Sequence, residues 1–312
     1  MSEPLRILRI ATRESALAMT QTGMVADALR ARYPGLETRL VGMTTKGDRV
    51  LDRPLAQVGG KGLFVKELEH ALDDGRADIA VHSMKDVPMV LPEQFALATF
   101  GERETPNDAF VSNRHGDLAA LPDGAIVGTS SLRRECQLRR AHPGLQYRAL
   151  RGNVNTRLRK LDEGEYDAII LAAAGLRRLG FESRIRGLLP DGLTLPAIAQ
   201  GILGIEYRRD RRDVAGLLAP FVHAPTAAAA LAERALGLVV EGSCEVPVAA
   251  FARVAGARMT LEAFLGMPDG SRVVRDRAEG AVAEAEALGR ALGERLLAQG
   301  GREILRDLAA RP

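Results

Sequence analysis

The sequence predicts an α/β protein of two related domains facing each other across a cleft with a hinge, plus a small C-terminal α+β domain. Short apolar strands alternate with helical stretches from Leu5 to about Gly201. A short pattern also repeats at a constant offset of 89 residues. Leu72-Asp-Asp-Gly75 with Ala77-Asp78-Ile-Ala-Val returns as Leu161-Asp-Glu-Gly164 with Tyr166-Asp167-Ala-Ile-Ile. From about Phe221 the character changes to one alanine-rich helix, three strand-like segments and a last helix. At 312 residues the chain exceeds one ordinary core.

The first strand is Leu5 to Ala11, and a helix follows Thr12-Arg13-Glu14-Ser15 and runs to about Arg32. Tyr33-Pro34-Gly35 ends it, because proline cannot continue a helix and glycine takes the turn. A second strand, Glu37 to Met43, leads into the polar loop Thr44 to Asp48. After Gly59-Gly60-Lys61-Gly62 comes a helix with apolar positions Leu63, Phe64, Leu68, Ala71 and Leu72, then the strand Ala77 to His82. The glycine segment lacks the spacing of a nucleotide phosphate loop and reads as a hinged loop. Ala125 to Thr129 is again a strand ending in threonine, followed by serine and a helix. Domain 1 is expected over 1–101 and 200–220, domain 2 over 102–199 and domain 3 over 221–312. Two crossings, near Gly101 to Pro106 and Leu195 to Gly201, would make the hinge.

No apolar run approaches the roughly 20 residues that span a bilayer. The opening residues Met-Ser-Glu-Pro run into a strand without a signal-peptide stretch, which points to the cytosol. Cys136 and Cys244 give neither a disulfide framework nor metal-ligand spacing. Net charge is only +3, aromatic content is 4%, and no recognition motif occurs, so nucleic acid is not the expected partner. Lysine stands only at 46, 61, 66, 85 and 160, so 38 of the 43 basic residues are arginine. A GC-rich genome would give that bias without functional meaning, so position says more than number.

Arginines gather where strands give way to helices. Gly128-Thr-Ser-Ser-Leu-Arg133-Arg134 joins a strand end, two serines and a helix start, where free N–H groups and the helix dipole favour anions. Arginine adds fork-shaped donors suited to carboxylate or phosphate. Arg151-Gly-Asn-Val-Asn-Thr-Arg157 and Arg13-Glu-Ser15 repeat the arrangement. Three such turns favour a site for several anionic groups over capped helices with solvated arginines. Ligands of such sheets sit beyond the carboxyl ends of the strands. There too lies His82-Ser-Met-Lys85-Asp86-Val-Pro88. A carboxylate among cations weakens an anion site, so Asp86 is either a Lys–Asp surface pair or a group that moves a proton or faces a developing cation. Cys244, in a glycine-containing loop, is either inert or a thiolate nucleophile favoured by nearby arginines. Arg208 to Arg212 read as surface residues.

Taken together, these segments resemble the porphobilinogen deaminase family over essentially the whole chain. The resemblance rests on Ala11 to Ala18, Gly59 to Glu69, His82 to Pro88, Asp108 to Ser112, Gly128 to Arg134, Arg151 to Arg157 and Glu241-Gly-Ser-Cys-Glu-Val-Pro247. It implies three domains, the first two like periplasmic binding proteins. It implies a transferase of porphyrin biosynthesis that joins four porphobilinogen molecules head to tail with loss of ammonia, hydrolysis freeing linear hydroxymethylbilane. It also implies a dipyrromethane cofactor on a thioether to Cys244, with Lys85, Thr129, Ser131, Arg133, Arg134 and Arg157 holding it. Arg13, Ser15, Arg151, Arg178 and Gln200 would bind substrate, and Asp86 would be catalytic. The expected form is a cytoplasmic monomer without metal, membrane or nucleic-acid partner. Ser243, Glu245, Ala199 and the run Glu14-Ser-Ala16 depart from the family's commoner Gly, Gln, Gly and Gln-Ser-Pro. The rival reading is a non-catalytic anion-binding protein, which has no use for Cys244.

Overall fold

The structure, a computed structural model, describes residues 5–49, 62–241 and 246–310. They fall into two compact units. The first comprises 5–49, 62–103 and 202–227, and the second 104–201 with the described residues from 228 onward.

The first unit is built on the sheet β2-β1-β3-β10-β4, from β1 (Ile7–Arg13), β2 (Glu37–Met43), β3 (Ile79–Ser83), β4 (Phe95–Phe100) and β10 (Leu203–Arg208). β1 runs parallel to β2 and β3, whereas β10 is antiparallel to β3 and β4. Helix α1 (Ala16–Arg32) starts because Ser15 has extended backbone and its hydroxyl accepts from Ala18 N. Its buried positions 18, 21, 22, 25, 26 and 29 recur at helical spacing. Val25, Ala26 and Leu29 meet Leu8, Ile10, Ile79, Val81 and Ile205 in one core. After the single turn α2 (Lys46–Arg49), α3 (Lys66–Asp73) covers the other face, its Leu68, Ala71 and Leu72 packing with Ala11, Ala80 and Phe95. The helix expected directly after Gly62 thus begins at Lys66, and Leu63 and Phe64 lie in the preceding turn, where Leu63 O accepts from Gly47 N.

The second unit opens with an equivalent sheet, β7-β6-β8-β5-β9, from β5 (Asp108–Val111), β6 (Ile126–Gly128), β7 (Gln146–Arg148), β8 (Ala168–Ala172) and β9 (Gly187–Leu188). Again the first-formed strand of the parallel trio lies between its partners, and an antiparallel strand follows. The 89-residue repeat has a physical basis here. Asp78 Oδ2 accepts from Arg9 N at 2.8 Å while Asp78 N donates to Arg9 O at 2.8 Å. Asp167 makes the same reciprocal pair with Ile126, at 2.8 and 2.9 Å. In each unit one aspartate fixes the register of the third strand against the first. Helices α4 (Leu132–Ala141), α5 (Val154–Asp162) and α6 (Ala173–Arg178) flank this sheet. The chain later forms α7 (Arg212–Leu218) in the first unit and α8 (Ala224–Val239), which ends in the second.

Within the second unit also lies the antiparallel sheet β11 (Val248–Ala255), β12 (Arg258–Gly266) and β13 (Val273–Ala281). Helix α9 (Ala285–Leu296) packs on it, and after a π turn carrying Gly300 at φ 113° comes α10 (Arg302–Ala309). Gly289 and Gly293 let α9 approach α8. A Cβ on Gly289 would strike Ala232 O, and one on Gly293 would lie 2.8 Å from Val239 Cβ. Among the described residues no helix is long and apolar enough to cross a membrane, and no acid–His–Cys cluster could hold a metal.

Candidate active site

The carboxyl ends of β1 and β3 carry the first unit's candidate residues. Arg13 closes β1, and its guanidinium lies 4.2 Å over the Phe64 ring, which holds a flexible side chain flat. Ser15 uses its hydroxyl as the α1 cap. β3 ends at Ser83 and passes into a single 3₁₀ turn, Met84–Asp86. Met84 is buried, its N–H donates to Ile202 O at 3.0 Å, and Val87 N closes the turn on Met84 O at 3.1 Å. On this anchored turn Lys85 is half-buried and Asp86 exposed. An exposed carboxylate on a fixed turn is available to a ligand while its backbone stays put.

In the second unit Thr129 is buried at the end of β6, and its hydroxyl accepts from Ser131 N at 3.2 Å. Ser131 in turn caps α4 by accepting from Arg134 N. The next two side chains do not lie open as forks. Arg133 and Arg134 are 4% and 6% exposed and converge on Asp108, which is fully buried. Arg133 Nη2 lies 3.1 Å from Asp108 Oδ1 and 2.9 Å from Oδ2, and its Nη1 donates to Leu195 O at 2.6 Å. Arg134 reaches Asp108 through Nε at 3.0 Å and Nη2 at 2.8 Å, and Ile170 O through Nη1 at 2.9 Å. Burial alone would raise the Asp108 carboxyl, but the two guanidiniums and hydrogen bonds from Arg134 and Gln200 outweigh it and hold it far below the usual carboxylate range. Two cations against one anion leave positive charge. Burial lowers the Arg133 pKa against the pull of Asp108, and Arg133 Nε is buried without a hydrogen-bond partner. Such a centre favours an anion nearby.

Gln200, predicted only by resemblance, joins the same centre by donating to Asp108 Oδ1 at 2.9 Å and to Pro106 O. The preceding Ala199 has φ 57°, a left-handed conformation that favours the glycine expected there. Glu233 of α8, fully buried, holds that turn by accepting from Ala199 N at 2.6 Å, and its other oxygen accepts from Ala252 N of β11 at 2.8 Å. Arg178 donates to Gly201 O at 2.7 Å, and burial lowers its pKa. Arg151 and Arg157 flank Gly152 before and within α5. Burial lowers the Arg151 pKa, and Arg157 Nε donates to Gly152 O at 2.7 Å. Gly152 sits at φ 107°, where a Cβ would also lie 2.7 Å from Thr156 Cγ2.

The structure thus gathers Arg133, Arg134 and Gln200 around Asp108, pairs Arg151 with Arg157 around one turn, and sets Lys85 beside Asp86. Cys244, Ser243, Glu245 and the loop 59–61 lie outside the described residues. Cys136 is buried in α4 with Leu195, Phe251 and Phe264, and burial pushes its thiol up to about 12, which makes it inert. Neither Asp108 nor Glu233 is among the site residues expected from the sequence. Two adjacent arginines at a helix start were the available signal for the first, since buried cations need a counter-charge.

Residues 8–216 match the family model described as porphobilinogen deaminase, dipyromethane cofactor binding domain, and 227–298 match porphobilinogen deaminase, C-terminal domain. A porphobilinogen deaminase of Thiobacillus denitrificans is 56% identical over 306 residues, covering 98% of this chain and 100% of that protein. One from Chromobacterium violaceum is 56% identical over 303 residues, covering 97% of this chain and 98% of that protein. A methionine binding protein, MetQ, is similar in structure at a TM-score of 0.45 and 14% identity, over 69% of this chain and 90% of that one.

Proposed function

The chain belongs to the porphobilinogen deaminase family, and we infer that it is a hydroxymethylbilane synthase, joining four porphobilinogen molecules head to tail with loss of ammonia. The observation that carries this reading is the buried centre at β6 and α4, two arginines against a single aspartate, at the end of a strand where a ligand of such a sheet would lie. Each substrate pyrrole bears an acetate and a propionate, so a growing chain accumulates carboxylates that only several fixed cations can hold.

The residues present fit a dipyrromethane cofactor. The surplus charge at Arg133 and Arg134, the unpartnered Arg133 Nε and the hydroxyls of Thr129 and Ser131 suit a group rich in carboxylates. When bound, the cofactor supplies the pyrrole end to which substrate units are added. In this reading Cys244 holds it through a thioether, and Lys85 and Arg157 contribute charge. Arg134 is held by three hydrogen bonds to Asp108 and Ile170 O and contributes its charge to the centre. Arg13, Ser15, Arg151, Arg178 and Gln200 bind the carboxylates of incoming substrate. Asp86 assists departure of the amine and faces the developing cation through the pyrrole N–H.

Three separate sheets support a division into 1–101 with 200–220, 102–199 and 221–312. A cytoplasmic location is consistent with a buried free Cys136, since free thiols suit a reducing compartment. The test of function is Asp86→Ala. Ammonia release from porphobilinogen should vanish, while far-UV circular dichroism and the excess of intact mass over sequence mass match those of the parent protein. Near-normal turnover would refute the assignment.

A further inference from the structure

On the α3 side of the first unit's sheet lies a polar cluster that the reading above does not use. His82 of β3 is 5% exposed and Glu206 of β10 is fully buried, and His82 Nε2 lies 3.0 Å from Glu206 Oε2. Gly204 pairs with His82 and Ala80 with Glu206, so the two side chains are diagonal neighbours on one face. The second oxygen, Glu206 Oε1, is buried without a hydrogen-bond partner. Glu69 of α3 supplies a second carboxylate. Burial raises its pKa first and Glu206 further, whereas His82 lowers it. His70 and Asp73 act on Glu69 from the same helix.

The cluster lies beside the seat of the Asp86 turn. Gly204, which pairs with His82, leaves a gap that Met84 fills. A Cβ there would lie 3.3 Å from Met84 Cε and 3.2 Å from Leu97 Cδ1. Met84 opens the turn bearing Asp86, and its N–H is held by Ile202 O, immediately before β10. Whatever fixes β3 against β10 at His82 therefore fixes the turn two residues later.

We propose that His82 and Glu206 are positioning residues for Asp86: their buried hydrogen bond holds the Met84–Asp86 turn in register. The inference rests on the reading of Asp86 given above. A buried carboxylate in a central strand cannot turn to solvent, so its partner must come from within the cluster. Removing one member of the pair leaves the other buried without it, and the register of β3 against β10 at the turn loosens.

The test compares kcat and KM for the full chain and for His82→Gln, Glu206→Gln and Asp86→Ala, with porphobilinogen as substrate. Both glutamine variants should lose roughly 10- to 100-fold in kcat with little change in KM, as expected of a misplaced acid. If His82→Gln fails to fold, the nearly isosteric Glu206→Gln carries the comparison. Folded variants with kcat within about twofold of the parent, whatever their Tm, would overturn the proposal. With Asp86→Ala inactive, that result sinks only the positioning role; an active Asp86→Ala sinks the reading of Asp86 itself.

Discussion

Asp108 shows how one carboxylate organises a site. It is fully buried, accepts from Arg133, Arg134 and Gln200, and has no route to water. Removing one partner of such a group leaves charge without compensation, at a cost of about 3–5 kcal/mol. Asp108→Asn should lose stability of that order at neutral pH, measured by urea unfolding. The sign with pH follows from its depressed folded pKa. The aspartate's contribution is fully present above its unfolded value, about 3.9, and drains away as pH falls below it. The gap between parent and variant should stay flat from neutrality to about pH 4 and narrow below. A gap unchanged at lower pH would show that the charge is not the cause. This role was illegible in the sequence, because partners 25 and 26 residues away are joined only by the fold. For the same reason Arg211, read as a surface residue, is found paired with buried Asp78, 133 residues earlier. The arginine clusters themselves were legible, since serine caps and strand ends are local signals; that Arg133 and Arg134 face inward was not.

At the level of elements, local chemistry decided most of what could be read. Ser15, Ser131 and Asn153 each accept from the N–H three residues on, as a cap at a helix start should. The repeat read from Asp78 and Asp167 became two sheets of equivalent order because each aspartate ties the same two strands. Helix α3 begins three residues later than expected, at Lys66 rather than Leu63, and Leu63 O instead accepts from Gly47 N. The approach of α9 to α8 was not legible, since Gly289 and Gly293 matter only for the backbone opposite them. It bears on the proposed site, because α8 ends at Val239, five residues before Cys244 in the chain. Gly289→Ala places a methyl against Ala232 O and should cost about 1–3 kcal/mol as overpacking. Thermal unfolding would measure it, and a variant as stable as the parent would show that the helices separate without strain.

For the whole molecule, family and function rest on different supports. Two family models and relatives 56% identical span nearly the full chain, so membership is settled. The groups proposed for the chemistry lie at strand ends, Asp86 on a fixed turn in one unit and the buried arginine centre in the other. The residue that would make the protein a chain-extending enzyme rather than an anion binder is Cys244. The most direct measurement is therefore the intact mass of the purified protein beside that of Cys244→Ala. The parent should exceed its sequence mass by two linked pyrrole units, and the variant should match its own sequence mass and be inactive. An unmodified parent with full activity would contradict the covalent anchor on which the account depends.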